Sequence, residues 1–149
     1  MDSFNLSEDI KVMCVTANHF PEDAERAHIQ LHAMLAEKSG RRFFGISWPA
    51  ENGEIIYKAA TDEMEPGEAE RLGLETFTIR KGNFHCFFIK DFMQDITNIR
   101  SAFKILLEQN DVDPKGYCIE WYIGENDVKC MVPIDEKELH FTGANNAKF

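Results

Sequence analysis

The chain has no apolar run of about 18 residues, the least that crosses a bilayer as a helix, so no membrane span is expected. Its first ten residues carry no basic segment followed by an apolar one, which excludes a signal-peptide reading and points to a cytoplasmic protein. Cys14, Cys86, Cys118 and Cys130 include no pair at CxxC spacing. They lie in strand-like apolar runs and read as small buried side chains in a reducing compartment. His28 and His32 share a helix face, but nothing resembles HExxH, so neither a metal nor another cofactor is expected. Basic residues are few: Lys+Arg 16 against Asp+Glu 26, a net charge of −10. Nucleic-acid binders usually carry a basic patch or stripe. Here the only basic clusters are Arg41-Arg42 and Arg80-Lys81, so direct contact with nucleic acid is not expected.

What is present suits one compact domain over residues 1–149, with 44% hydrophobic content. Lys11–Thr16 reads as a strand. Phe20–Lys38 reads as a helix, with Pro21 in its first turn and Ala27, His28, Leu31 and Leu35 on its apolar stripe. Strands at Phe43–Trp48 and Ile55–Thr61 flank Asn52-Gly53, a strong hairpin signal. An acidic stretch over 62–73 reads as a solvated linker, or as a lid, with one short helical turn at Gly67–Arg71. The order then recurs: strands at Thr76–Arg80 and Phe84–Lys90, a helix over Met93–Gln109, and strands at Tyr117–Ile123 and Val128–Pro133. An offset of 74 residues relates the halves, giving pseudo-repeats of about 10–62 and 75–135. The fold class expected is α+β: duplicated βαββ units forming a concave antiparallel sheet, with two main helices packed on one side.

One acid interrupts an apolar strand: Tyr117-Cys118-Ile119-Glu120-Trp121-Tyr122-Ile123. Burying a carboxylate without a partner is costly, so Glu120 either faces solvent or lines a cavity where something offsets its charge. The period of two puts Cys118, Glu120 and Tyr122 on one face and Ile119, Trp121 and Ile123 on the other. Trp121 with its isoleucines is the better helix-facing set, which turns Glu120 and Tyr122 to the concave side. The 74-residue offset sets Tyr122 opposite Trp48, so Trp48 is expected to share a pocket with the acid. Phe84, Cys118 and Tyr57 are further wall candidates.

Ile119-Glu120-Trp121-Tyr122, followed by a hairpin and Val128-Lys129-Cys130-Met131-Val132-Pro133-Ile134, resembles the closing signature of the GyrI-like small-molecule-binding family. Phe44-Gly45-Ile46-Ser47-Trp48-Pro49 and Ile79-Arg80-Lys81-Gly82-Asn83-Phe84-His85-Cys86-Phe87 are similar to its first hairpin and to its Gly-x-aromatic strand. The family's Gly soon after that strand is absent; here the segment reads Ile89-Lys90-Asp91-Phe92. The resemblance implies a central pocket for amphipathic, often cationic or aromatic molecules, with the pocket acid at Glu120 and the following tyrosine at Tyr122. It implies a stand-alone binding or sensing protein related to effector-binding domains of bacterial transcription regulators, of the kind that binds many drugs. A separate regulator or gyrase would be its macromolecular partner. Two other readings stay open: a hydrolase with Glu120 as general base and Tyr122 orienting, and a gyrase-inhibitor-like interaction protein.

Overall fold

Strands β3 (Phe43–Pro49) and β7 (Cys118–Ile123) lie side by side in the middle of an eight-stranded antiparallel sheet. The computed structural model describes residues 1–135. The other strands are β1 (Asp2–Leu6), β2 (Ile10–Thr16), β4 (Ile55–Asp62), β5 (Glu75–Ile79), β6 (Gly82–Ile89) and β8 (Asp127–Pro133). The helices are α1 (Ala24–Ala33), the short α2 (Glu68–Leu72) and α3 (Thr97–Leu107), with a 3-10 turn at Phe92–Gln94. The sheet order is β1-β6-β8-β7-β3-β4-β2-β5. β1 leads directly into β2 yet pairs with β6, while β5 leads into β6 yet pairs with β2. The order is therefore the same read outward from the β7–β3 boundary in either direction.

The two faces of the sheet are filled differently. On one, Leu6 and Ile79 from the outermost strands join Phe44, Ile46, Ile119 and Met131 from the middle in a single cluster made without any helix. Contact between side chains from both edges requires the sheet to curl. On the other face α1 lays Ala27 and Leu31 against Val15 and Ala59, and α3 lays Ala102 and Leu106 against Val128, Cys130 and Val132. Leu31 and Leu106 are fully buried, which stabilises the fold by roughly 1.5–3 kcal/mol each. The helices sit over opposite halves of the sheet, α1 on β2 and β4, α3 on β6 and β8. On this face Phe43 of β3 stacks on His32 of α1, and Cys118 and Tyr122 of β7 pack toward the α3 cluster.

This is the expected α+β class, with a curled antiparallel sheet and two main helices on one side. Several local expectations are corrected. Trp121 faces away from the helices, packed edge-on to Phe4 and tilted on Phe44, so Tyr122 and Glu120 share the helices' face and not the opposite, concave one expected for them. Both main helices are shorter than their apolar periodicity. At α1, the Arg41 guanidinium binds the Glu37 and Asp62 carbonyls and holds the chain after Leu35 in turns. At α3, Asp95 Oδ1 accepts from both the backbone N–H and the hydroxyl of Thr97, a local bond that competes with earlier helix. The strand Asp2–Leu6 lies outside the expected repeats, although Phe4 and Leu6 alternate inward. The acidic run is not simply solvated: Glu68 is buried and paired with Arg41, and Asp62 is paired with Arg42.

Candidate functional site

Glu120 lies on the helix-bearing face, in the gap between α1 and α3. Its cross-strand neighbours are Gly45 on β3 and Cys130 on β8. Antiparallel neighbours crowd one another, and a side chain at Gly45 would fill the space the site uses. A Cβ there would lie 2.2 Å from the Tyr57 hydroxyl and 2.6 Å from Glu120 Oε1. Gly45 is thus the residue that lets Tyr57 cross from β4 and reach the acid.

Two phenols converge on one carboxylate oxygen. Tyr57 donates to Glu120 Oε1 at 2.9 Å, and Tyr122, two residues along β7, donates to the same oxygen. The two hydroxyl oxygens are 3.3 Å apart. His28 of α1 places Nε2 2.7 Å from the Tyr57 hydroxyl and meets both tyrosine rings edge-on, with centroids at 5.7 and 5.3 Å. Two phenylalanines close the sides. Phe20 stacks on Tyr57 at 5.0 Å and 14°, and Phe92 lies against Tyr122 at 5.6 Å. Glu120 is therefore an acid within a ring of aromatic faces and edges.

The electrostatics follow from that enclosure. Part of Glu120 still reaches solvent, but protein closes around it on most sides. Burial pushes its carboxyl above the usual carboxylate range, and the hydrogen bonds from Tyr122 and Tyr57 pull the other way. Among the described residues no lysine, arginine or histidine forms an ion pair with it. Both tyrosines are pushed up by burial and then by the Glu120 charge, so they stay protonated donors. Burial and the neighbouring His32 lower His28 to about 4, so it is neutral near pH 7. The charge at the centre is a single acid. Oε1 is occupied by two donors, and Oε2 bonds no donor among the described residues. An acid beside several ring faces is chemistry suited to a cation with apolar surface.

Of the residues singled out from sequence, the structure brings Glu120, Tyr122 and Tyr57 together. Cys118 lies beside them on the same face, its thiol raised to about 11 by burial and by the Glu120 charge. Trp48 and Phe84 are not part of the group. Both pack in the cluster on the opposite face, Trp48 stacked on Phe77 at 5.5 Å and Phe84 fully buried. For Trp48 the cause is register. Ser47 pairs with Tyr57, and Glu120 pairs with Cys130, so the two hairpins correspond at an offset of 73 rather than 74. One residue of slip turns every side chain to the other face. The offset of 73 carries Trp48 onto Trp121 and Phe4 onto Phe77. These four rings make two of the aromatic pairs on the opposite face, Phe4 with Trp121 and Trp48 with Phe77. His28, Phe20, Phe92 and Gly45 were missed as site residues. His28 was counted in an apolar stripe, where its ring does pack, and the other three carry no signal that sets them apart from core or turn residues.

No protein-family profile matches the chain, and no curated protein matches it. Solved structures do. SAV2435 bound to tetraphenylphosphonium is similar with a TM-score of 0.61 and 13% identity, covering 93% of this chain and 96% of that one. A hydrolase from Listeria innocua has a TM-score of 0.57 and 9% identity, covering 89% and 90%. A protein from Staphylococcus aureus MU50, provisionally described as a bacterial transcription regulation protein, has a TM-score of 0.53 and 11% identity, covering 89% and 96%. At these identities the likeness is one of fold. It is a fold in which one neighbour holds a bulky lipophilic cation.

Proposed function

We propose that this chain binds small amphipathic cations at Glu120. One observation carries the reading: a carboxylate enclosed by Tyr57, Tyr122, His28, Phe20 and Phe92, with one oxygen held by two phenols and no basic partner among the described residues. A buried charge is retained at a cost unless something offsets it, and a lipophilic cation would supply both the opposite charge and apolar surface for the rings. The tetraphenylphosphonium bound by a neighbour of the same fold supports the class. The family resemblance at Ile119–Tyr122 supports it as well, and with it a GyrI-like binding or sensing role. A role in transcription would run through a separate DNA-binding partner, since the charge of −10 disfavours direct DNA contact.

A thermal-shift screen tests this. Tetraphenylphosphonium and other lipophilic cations should raise the melting temperature of the wild type, and Glu120→Gln should lose most of the shift. Neutral isosteres should do little to either protein. A screen in which cations and neutral isosteres shift the wild type equally would overturn the reading.

One feature favours a second reading. A carboxyl raised by burial and flanked by phenols is suited to act as a general base toward a water molecule, and a neighbour of this fold is described as a hydrolase. Hydrolysis of a small electrophile that disappears in Glu120→Gln would support it. Turnover that persists in that variant would remove it.

A further inference from the structure

The Tyr57 hydroxyl has one proton and three polar neighbours: Glu120 Oε1 at 2.9 Å, Tyr122 Oη at 3.3 Å and His28 Nε2 at 2.7 Å. Where that proton points depends on which ring nitrogen of His28 carries a hydrogen. If Nε2 is bare, it accepts the Tyr57 proton, and Glu120 faces a phenol lone pair. If Nε2 carries the hydrogen, it donates to Tyr57, and the Tyr57 proton is left for the carboxylate. A carboxylate favours the second arrangement, because bonds to a charged acceptor are the stronger ones.

We propose that His28 is a positioning residue for this site: its Nε2–H donates to Tyr57, which commits the Tyr57 proton to Glu120 Oε1. With Tyr122 donating to the same oxygen, Oε2 is turned to the ligand. The relay runs from α1 through β4 to β7, so the helix sets the acidity of a carboxylate it does not touch. The relay itself belongs to the unliganded protein; only its effect on affinity rests on the cation-binding reading. The titratable groups facing this chain of bonds are His28 and His32 of α1, Tyr57 of β4, Cys118 and Tyr122 of β7, and Cys130 of β8. Near pH 7 the cysteines, raised to about 11 and 12, stay protonated. His28, lowered to about 4, stays uncharged, so its tautomer and not its charge governs the relay.

Nitrogen-15 NMR of the imidazoles in the unliganded wild type tests this without any ligand. The Nε2–H tautomer is expected at His28, and the Nδ1–H tautomer would overturn the proposal. Carbon-13 NMR of the Glu120 carboxyl, assigned by its loss in Glu120→Gln, adds a second readout. Its titration midpoint should move up in His28→Phe, which removes the donor, and return toward wild type in His28→Gln, whose side-chain amide replaces it. An unchanged midpoint in a folded His28→Phe would also overturn the proposal. Should that variant fail to fold, the tautomer and the His28→Gln titration still decide it. Tetraphenylphosphonium affinity should fall only roughly twofold in His28→Phe, because the Tyr57 bond to Glu120 is weakened and not removed. If the wild type binds no cation while the tautomer and midpoints behave as stated, the relay stands and the cation-binding reading falls.

Discussion

Gly45 and Glu120 face each other across the β3–β7 pair, and the space where a Gly45 side chain would stand is taken by the Tyr57 hydroxyl and Glu120 Oε1. The site is built over a missing side chain. Gly45→Ala should therefore displace a rigid phenol rather than a flexible chain end. We expect a loss of roughly 1–3 kcal/mol in denaturant unfolding, the usual cost of overpacking, together with weaker cation binding. A Gly45→Ala protein as stable as wild type would contradict the close approach of Tyr57 and Glu120.

Glu120 should weaken the unliganded fold at neutral pH. Its carboxyl is raised by burial, so the folded state disfavours the charged form. The penalty is absent below the unfolded pKa, where the group is protonated in both states, and complete above the raised folded pKa. Glu120→Gln should then melt higher than wild type near pH 7, with the difference shrinking as the pH is lowered through that window. Cation affinity of the wild type should fall over the same window, because protonation removes the charge the ligand meets. Melting scans and affinity measurements across an acidic-to-neutral series check both trends.

Arg41 and Glu68 form a pair with side chains only 7% and 9% exposed. Removing one partner of a buried pair leaves the other charge uncompensated, at about 3–5 kcal/mol. Arg41→Met should be destabilised on that scale. The bond from Arg41 also holds the Glu68 carboxyl below the usual range. Its contribution is present above the unfolded pKa and is lost as the pH falls through the folded one. The acid side of the wild-type stability profile should therefore be steeper than that of Arg41→Met, and parallel profiles would contradict the pairing.

Trp48 lies on the face away from Glu120, stacked on Phe77. Trp48→Phe should lower the melting temperature through looser packing yet leave cation affinity within about twofold, since sites without shared partners act independently. Tyr57→Phe should do the reverse, costing affinity by removing a donor to the carboxylate. Equal losses of affinity in the two variants would place Trp48 in the binding site after all.

Much of this arrangement was legible in the chain. Alternating side chains place Glu120 and Tyr122 on one face from β7 alone, and the Asn52-Gly53 turn fixes the hairpin that delivers Tyr57. What period-two reasoning lacks is absolute register between distant strands. An offset of 74 in place of 73 moved Trp48 to the wrong side of the sheet, although the matched pairs Trp48–Trp121 and Phe4–Phe77 were in the sequence to be counted. The helix-facing assignment of Trp121 failed for a different reason. Bulky apolar side chains need no helix cover here, because the curl of this sheet buries them against its own edge strands. His28 and Gly45 act through contacts with residues far along the chain, and no local pattern reports those.

We propose that Glu120 holds a lipophilic cation. Calorimetric titration of tetraphenylphosphonium into wild type and Glu120→Gln near pH 7.5 tests it most directly. At an effective dielectric constant near 20, two charges about 4 Å apart attract by roughly 4 kcal/mol, and part of that is offset by desolvating both. The expected result is saturable one-to-one binding by the wild type and at least about tenfold weaker binding by Glu120→Gln. Equal affinity in the two proteins, or no binding by a folded wild type, would contradict the account.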